Sequence, residues 1–191
     1  MLSLDDLATA RSSPLLAEEP RAVLDGLLSG AAIGIYRNHH RLYRPDQPAE
    51  QIYVVLRGKV QIYHGEADGK HAVVAVPQRG DVFGLDEVFE TGRRRTAAQA
   101  VGECRVLELP TDAYRDAVAR HPDMATGLVK LLARSLCSVS DQLARIQLKP
   151  KTQRLADYIL CLPQAACAQG EVTLPFEKAL VAAYLRMEPE S

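Results

Sequence analysis

From Val129 onward the apolar residues of this chain fall at alternating intervals of three and four: Val129, Leu132, Leu136, Val139, Leu143 and Ile146. That spacing returns every one of these side chains to the same face of an α-helix. It is the a/d stripe with which one helix buries against another. The stretch that carries it, Pro122–Leu148, has no internal proline and a single glycine, Gly127. The pattern therefore predicts one helix about 40 Å long at 1.5 Å per residue. Leu128 and Leu131 form a second apolar edge near its start, which predicts packing on the preceding segment. An ordinary core helix is the plainer alternative; the length and the unbroken seam favour a partner-facing spine, most simply a homodimer helix.

Before this stretch the period is two. Residues 1–38 predict an acidic helical lead-in, with Pro20 in the first turn of a short helix that carries Val23, Leu24, Leu27 and Leu28 and ends at Gly30. From His40 the chain predicts strands. Gln51–Leu56 and Val60–Tyr63 flank Arg57-Gly58-Lys59 and predict a hairpin. Asp68-Gly69, ahead of the apolar run Ala72–Val76, predicts a second hairpin. Val82-Phe83-Gly84 comes next, then a helix-like LDEVFE and the polar run TGRRRT. Ala97–Val101 and Arg105–Leu109 complete a set of about eight short, regularly spaced strands, the pattern of a barrel, sandwich or jelly roll. Thr111 is placed to cap a helix through His121, and Lys149-Pro150-Lys151 interrupts the spine. Thr152–Leu162 then predicts a helix, Glu171–Leu174 a strand and Pro175–Leu185 another helix. Pro189-Glu190-Ser191 has the pattern of a further first turn.

Composition changes this picture little. Apolar residues make up 47% of the 191, enough for a substantial core, and the net charge of −1 gives no basic surplus of the kind that announces a nucleic-acid binder. Cys104, Cys137, Cys161 and Cys167 show neither a C-x-x-C pair nor a zinc-finger spacing, which predicts unpaired, buried thiols in a reducing cytosol. The N-terminus is acidic where a signal peptide is basic, and no run is long enough to span a membrane. A soluble, cytoplasmic protein is the expectation.

Several stretches, taken in order, resemble the cyclic-AMP receptor/fumarate–nitrate regulator superfamily of bacterial transcription factors. YRPDQPAEQIYVVLRGKV (43–60) resembles the opening of its β-roll, with Gly58 at the hairpin. GDVFG (80–84), continued by LDEVFETGRRRTAAQAV, resembles its phosphate-binding cassette. His121-Pro122-Asp123 before the spine and LKPKTQRLADYIL after it are similar to the family's. VTLPFEKALVAAYLRMEPES resembles the start of its helix-turn-helix, with most likeness to the branch of regulators of dissimilatory nitrate respiration. The resemblance implies an α+β chain: an N-terminal β-roll (a cyclic-nucleotide-binding-like jelly roll), a long dimerisation helix and a partial winged helix-turn-helix. The implied domains are an effector-sensing β-roll at 1–120, the dimerisation helix at 121–148 and an incomplete DNA-binding domain at 149–191. It implies a cytoplasmic, homodimeric, effector-responsive activator that is not an enzyme, binds DNA as a full-length protein and does not engage membranes. Glu190 and Ser191, at the start of the reading helix, would be the DNA-contacting residues, and the reader would be cut short.

The cassette chemistry narrows the effector. By the resemblance Gly84, Leu85, Arg95 and Thr96 are the effector-binding positions: Gly84 opens backbone N–H groups to an anion, and Arg95 and Thr96 supply the guanidinium and the hydroxyl. The family's cyclic-nucleotide binders carry a glutamate directly after the glycine to hold the ribose hydroxyl. Leu85 stands there and leaves that hydroxyl unpaired, a loss of roughly 1–3 kcal/mol. A solvated charged loop is the plain alternative for Arg93-Arg94-Arg95. An oxygen-sensing iron–sulfur cluster needs N-terminal cysteines, and the first of the chain is Cys104. Haem, through an axial histidine (His39, His40, His64 or His71) or a cysteine, stays open as the basis of a gas sensor. A metalloenzyme on a β-helix fold is a third class. It favours an H-x-H pair, and His39-His40 are instead adjacent, so on a strand they face opposite sides.

Overall fold

The structure, a computed structural model, describes residues 2–17, 19–65, 71–85, 88–89, 92–162, 167–168, 171–172, 174 and 177–187. It divides into two compact units, Met1–Ala133 and Arg134–Ser191, with the boundary inside the long helix.

The first unit opens with α1 (Leu4–Ser12) and α2 (Arg21–Ser29). Ser3 and Asp6 form a reciprocal capping box at the start of α1, each side chain accepting from the other's backbone N–H. Asp6 also accepts from Arg105 at 2.8 Å, and Arg79 reaches Asp5 and Thr9, so α1 is tied to the strands by ion pairs as well as by apolar contact. Burial pushes the Asp6 carboxyl upward. The bonds from Ser3 and the Arg105 guanidinium outweigh it and hold the group below its ordinary value. Pro20 is the residue before α2 rather than a member of its first turn, and Gly30 ends the helix as predicted.

The strands are β1 (Ala32–Tyr36), β2 (Arg41–Tyr43), β3 (Gln51–Gly65), β4 (His71–Ala75), β5 (Val82–Phe83) and β6 (Ala97–Pro110). They form one antiparallel sheet in the order β1-β6-β3-β4, with β2 on β6 and β5 on β3. Together with the helices this is the α+β, jelly-roll-like architecture expected. Two expectations inside it are corrected. Arg57-Gly58-Lys59 is not a hairpin, and Ala97–Val101 and Arg105–Leu109 are not separate strands. β3 and β6 run on through these points as one long pair from Gln51↔Pro110 to Tyr63↔Ala97, with register shifts between Val55 and Lys59. Gly58 (φ +81°) and Gly102 (φ +75°) supply a bend within a strand instead of a turn between strands. The predicted second hairpin pairs β3 with β4 as expected (Gly65↔His71), while its Asp68-Gly69 turn lies outside the described residues.

The bend changes which residues face inward. Ile52, Val54 and Leu56 belong to a core shared with Leu16, Leu24, Leu27, Tyr114 and Met124 on the helical side. Tyr53 and Val55 face a second core with Tyr43, Phe83, Ala98, Ala100 and Val106. Beyond Gly58 the even-numbered Val60 joins this second core, because one extra residue in a strand swaps its faces. The unbroken apolar run Ile52–Leu56 thus serves two cores.

α3 (Thr111–Arg120) and α4 (Pro122–Leu148) follow. Thr111 does not cap α3. Pro110 holds that place, and the Thr111 hydroxyl turns inward to donate to the Ala49 carbonyl at 2.7 Å. Met124 and Leu128 are buried in the first core and Leu131 packs against it, as the second apolar edge predicted. In the second unit α5 (Lys151–Leu160) starts after Pro150, and β7 (Cys167–Ala168) pairs antiparallel with β8 (Glu171–Val172). α6 (Lys178–Tyr184) is shorter than the expected Pro175–Leu185, of which Pro175 and Phe176 lie outside the described residues. The Lys149–Asp157 ion pair and the Tyr158–Tyr184 ring contact knit this unit together. The cysteines correct another expectation: Cys104 is buried, but Cys137 and Cys161 are exposed. No helix among the described residues is long and apolar enough to cross a membrane.

The Gly58 bend gives a test. A Cβ there would lie 2.4 Å from the Glu103 carbonyl oxygen and 2.8 Å from Cys104 Cα, on a backbone that L-residues avoid. Gly58→Ala is expected to lower stability by about 2 kcal/mol or more in urea denaturation. A second test uses Asp6. Its depressed pKa adds stability above its ordinary pKa of 3.8, and that stability is lost as pH falls through the lower folded value. Asp6→Asn is expected to flatten the acid-side fall of the denaturation midpoint and to lower the midpoint at pH 7.

Candidate functional site

The segment from the end of β5 to the start of β6 carries the four predicted effector-binding residues. Gly84 is buried with φ +73°. Leu85 is only 7% exposed and packs in the helix-side core rather than among Tyr43, Tyr53 and Phe83. Thr96 is buried and Arg95 is exposed.

The residue that organises this segment is Arg94; the solvated loop expected as the alternative for Arg93-Arg94-Arg95 is corrected at Arg94, while Arg93 and Arg95 are exposed. Arg94 is 2% exposed. Its guanidinium donates to the Gly84 carbonyl at 2.8 Å and to the Gln51 carbonyl, and lies over the Tyr43 ring at 4.3 Å and the Tyr53 ring at 5.6 Å. Its backbone N–H donates to Gln47 O, and its carbonyl accepts from Asp46 N, both at 2.8 Å. Tyr53 in turn stacks on Phe83, with centroids 4.9 Å apart. Burial raises the Tyr53 phenol above its ordinary value, and the Arg94 charge works against that rise. Arg94 thereby joins the start of β3, the end of β5 and the turn at 44–47. A Cβ on Gly84 would lie 2.7 Å from its Nη1, which is a packing reason for glycine at that position beside the conformational one. At the other end Arg115 of α3 donates to the Val88 carbonyl and lies over the Phe89 ring at 5.8 Å. A signal for Arg94 was present: period two carried back from the buried Ala98 and Ala100 lands on Thr96 and Arg94, not on Arg95.

Among the other predicted groups, His39, His40 and His64 are exposed. Cys104 is buried, and burial pushes its thiol up to about 11, so it stays protonated near neutral pH. The stripe on α4 is exposed over most of its length: Val129, Leu132, Leu136, Val139 and Leu143 range from 42% to 68%. Ile146 is half-buried. Glu190 and Ser191, the predicted DNA-contacting residues, lie outside the described residues.

Residues 35–121 match the family model of the cyclic nucleotide-binding domain. A solved structure from Ruegeria pomeroyi, described as a cyclic nucleotide binding protein, superposes with a TM-score of 0.70 at 30% identity, over 100% of this chain and 84% of its own. The chain belongs to the cyclic-AMP receptor/fumarate–nitrate regulator superfamily. A CRP-like cAMP-activated global transcriptional regulator of Mycobacterium tuberculosis is 28% identical over 125 residues, 65% of this chain and 56% of that protein. The nitrogen fixation regulation protein FixK of Azorhizobium caulinodans is 28% identical over 170 residues, 84% of this chain and 67% of the relative. The match thus spans little more than half of the mycobacterial relative. These superfamily relatives are transcription regulators, not enzymes. The β-helix metalloenzyme class is set aside on that ground.

Arg94 and Arg95, adjacent in sequence, are expected to differ sharply. Arg94→Ala strands two carbonyls and opens a cavity, and should lower stability by about 3 kcal/mol. Arg95→Ala should change it by about 0.5 kcal/mol or less. Chemical denaturation of the two variants side by side makes the comparison.

Proposed function

We propose that this chain is the sensing and coupling part of a homodimeric, effector-responsive transcription regulator. One observation carries the reading: α4 buries Met124 and Leu128 in the β-roll unit while presenting Val129–Leu143 as a continuous exposed apolar seam. A stripe of that kind on one helix marks a partner surface, and an identical helix meets it most simply. Effector occupancy at the cassette shifts the equilibrium between two packings of the α4 seam. That shift reorients the C-terminal units toward DNA. α5, the β7–β8 hairpin and α6 supply the brace and wing elements of such a unit, and DNA is its target. Leu85 in place of a carboxylate directs the cassette away from a cyclic nucleotide and toward another small effector, since the ribose hydroxyl would go unpaired.

The seam has a direct test. Leu136, 68% exposed, sits at its middle. Leu136→Glu places two carboxylates against each other in an apolar interface and is expected to weaken dimerisation about a hundredfold or more. Light scattering should show a dimer for the unaltered chain and a monomer for the variant at the same concentration. A fully dimeric variant rules out the seam.

A further inference from the structure

Next to the cassette, the first unit carries an open cavity of about 620 Å3. Its wall is the chain between β1 and β3, closed on one side by β6. Arg41 and Arg44 both line it, and no lining residue is acidic. Among the described residues neither guanidinium has a carboxylate partner. Two like charges around one concavity repel each other, and a doubly charged anion between them removes that repulsion while matching the planar forks of both.

Fixed polar groups complete the wall. Gln99 is held from both ends: its Oε1 accepts from Gln61 at 2.6 Å and its Nε2 donates to the His39 carbonyl at 2.7 Å. The Gln47 Oε1 accepts from the Arg44 backbone N–H at 2.8 Å, and its amide donors have no protein acceptor among the described residues. His39 and His40 add two imidazoles to the lining, and Leu42 and Tyr43 add an aliphatic and an aromatic side chain. The lining segment is bent at His39 (φ 63°) and Asp46 (φ 65°), two non-glycine residues in the left-handed region. These bends curl the segment into a concave shape.

We propose that this cavity binds a small phosphorylated molecule, seated by Arg41 and Arg44. None of Gly84, Leu85, Arg95 and Thr96 lines it. The concave form and the Leu42 and Tyr43 side chains in its lining suit a compact organic phosphate better than the phosphates of an extended nucleic acid. The turn at 44–47 is hydrogen-bonded to Arg94 on both sides, Asp46 N to Arg94 O and Arg94 N to Gln47 O, so the site shares a wall with the segment that Arg94 pins. The binding proposal stands independently of the regulatory reading.

Isothermal titration calorimetry of the full chain with pyrophosphate, at constant ionic strength set by chloride, tests it. The unaltered chain should bind one equivalent saturably. Arg41→Gln/Arg44→Gln should bind at least about tenfold more weakly, while Arg120→Gln, an exposed residue of α3 that does not line the cavity, stays within about twofold. Both arginines are exposed, so thermal unfolding of the double variant should match that of the unaltered chain. Absence of saturable heat, or binding indifferent to the double substitution, overturns the proposal. Loss of binding in Arg95→Gln places the anion in the cassette and overturns it equally. A random-sequence DNA duplex that competes with pyrophosphate in the unaltered chain but not in the double variant assigns the arginines to nucleic acid instead, and the small-molecule site falls.

Discussion

A guanidinium buried in a β-roll takes its N–H donors out of water, so they need acceptors nearby. Arg94 directs its two terminal nitrogens to the carbonyls of Gly84 and Gln51 and lies over the faces of Tyr43 and Tyr53. Each acceptor comes from a different part of the roll: the end of β5, the start of β3, and the aromatic cluster between them. The cassette backbone cannot move without uncovering this charge. That constraint sets where Arg95 reaches the surface, keeps Gly84 free of a side chain, and fixes the turn that shapes the neighbouring cavity.

The same unit hands its order on to α4. Met124 and Leu128 share the core with Leu24, Leu27 and Tyr114, and Leu131 packs against it, while Val129 and Leu132 of the neighbouring stripe are exposed. The helix changes role within two turns, from a packed element of the roll to a bearer of an unpartnered apolar face. A signal that alters how the roll grips Met124 and Leu128 therefore acts on the start of the proposed seam directly.

Much of this was legible along the chain. The three-and-four spacing of Val129–Ile146 named a helix and its apolar face, and the shift to period two named the roll. Gly58 was visible as a break but not as a bend. A glycine with positive φ serves a turn or a bulge equally well, and only the partner strand decides which. Thr111 looked like a helix cap because capping chemistry is local. The Ala49 carbonyl that claims its hydroxyl is 62 residues away in sequence. Among three consecutive arginines, composition could not single out Arg94, although the alternation of Ala98 and Ala100 pointed to it.

The sequence by itself determined what local periodicity controls: a strand-rich first part, the long helix that follows it, and the face of α4 that is apolar. The tertiary structure decided what depends on partners distant in the chain. It carried β3 and β6 through their glycines, buried Arg94 and exposed Arg95, split one apolar run between two cores, and gathered Arg41 and Arg44 around a shared cavity. The physical reason is the range of the forces. Backbone preference and side-chain period act over a few residues, whereas the burial of a charge or a hydroxyl is settled by whichever acceptor the folded chain brings within hydrogen-bond reach.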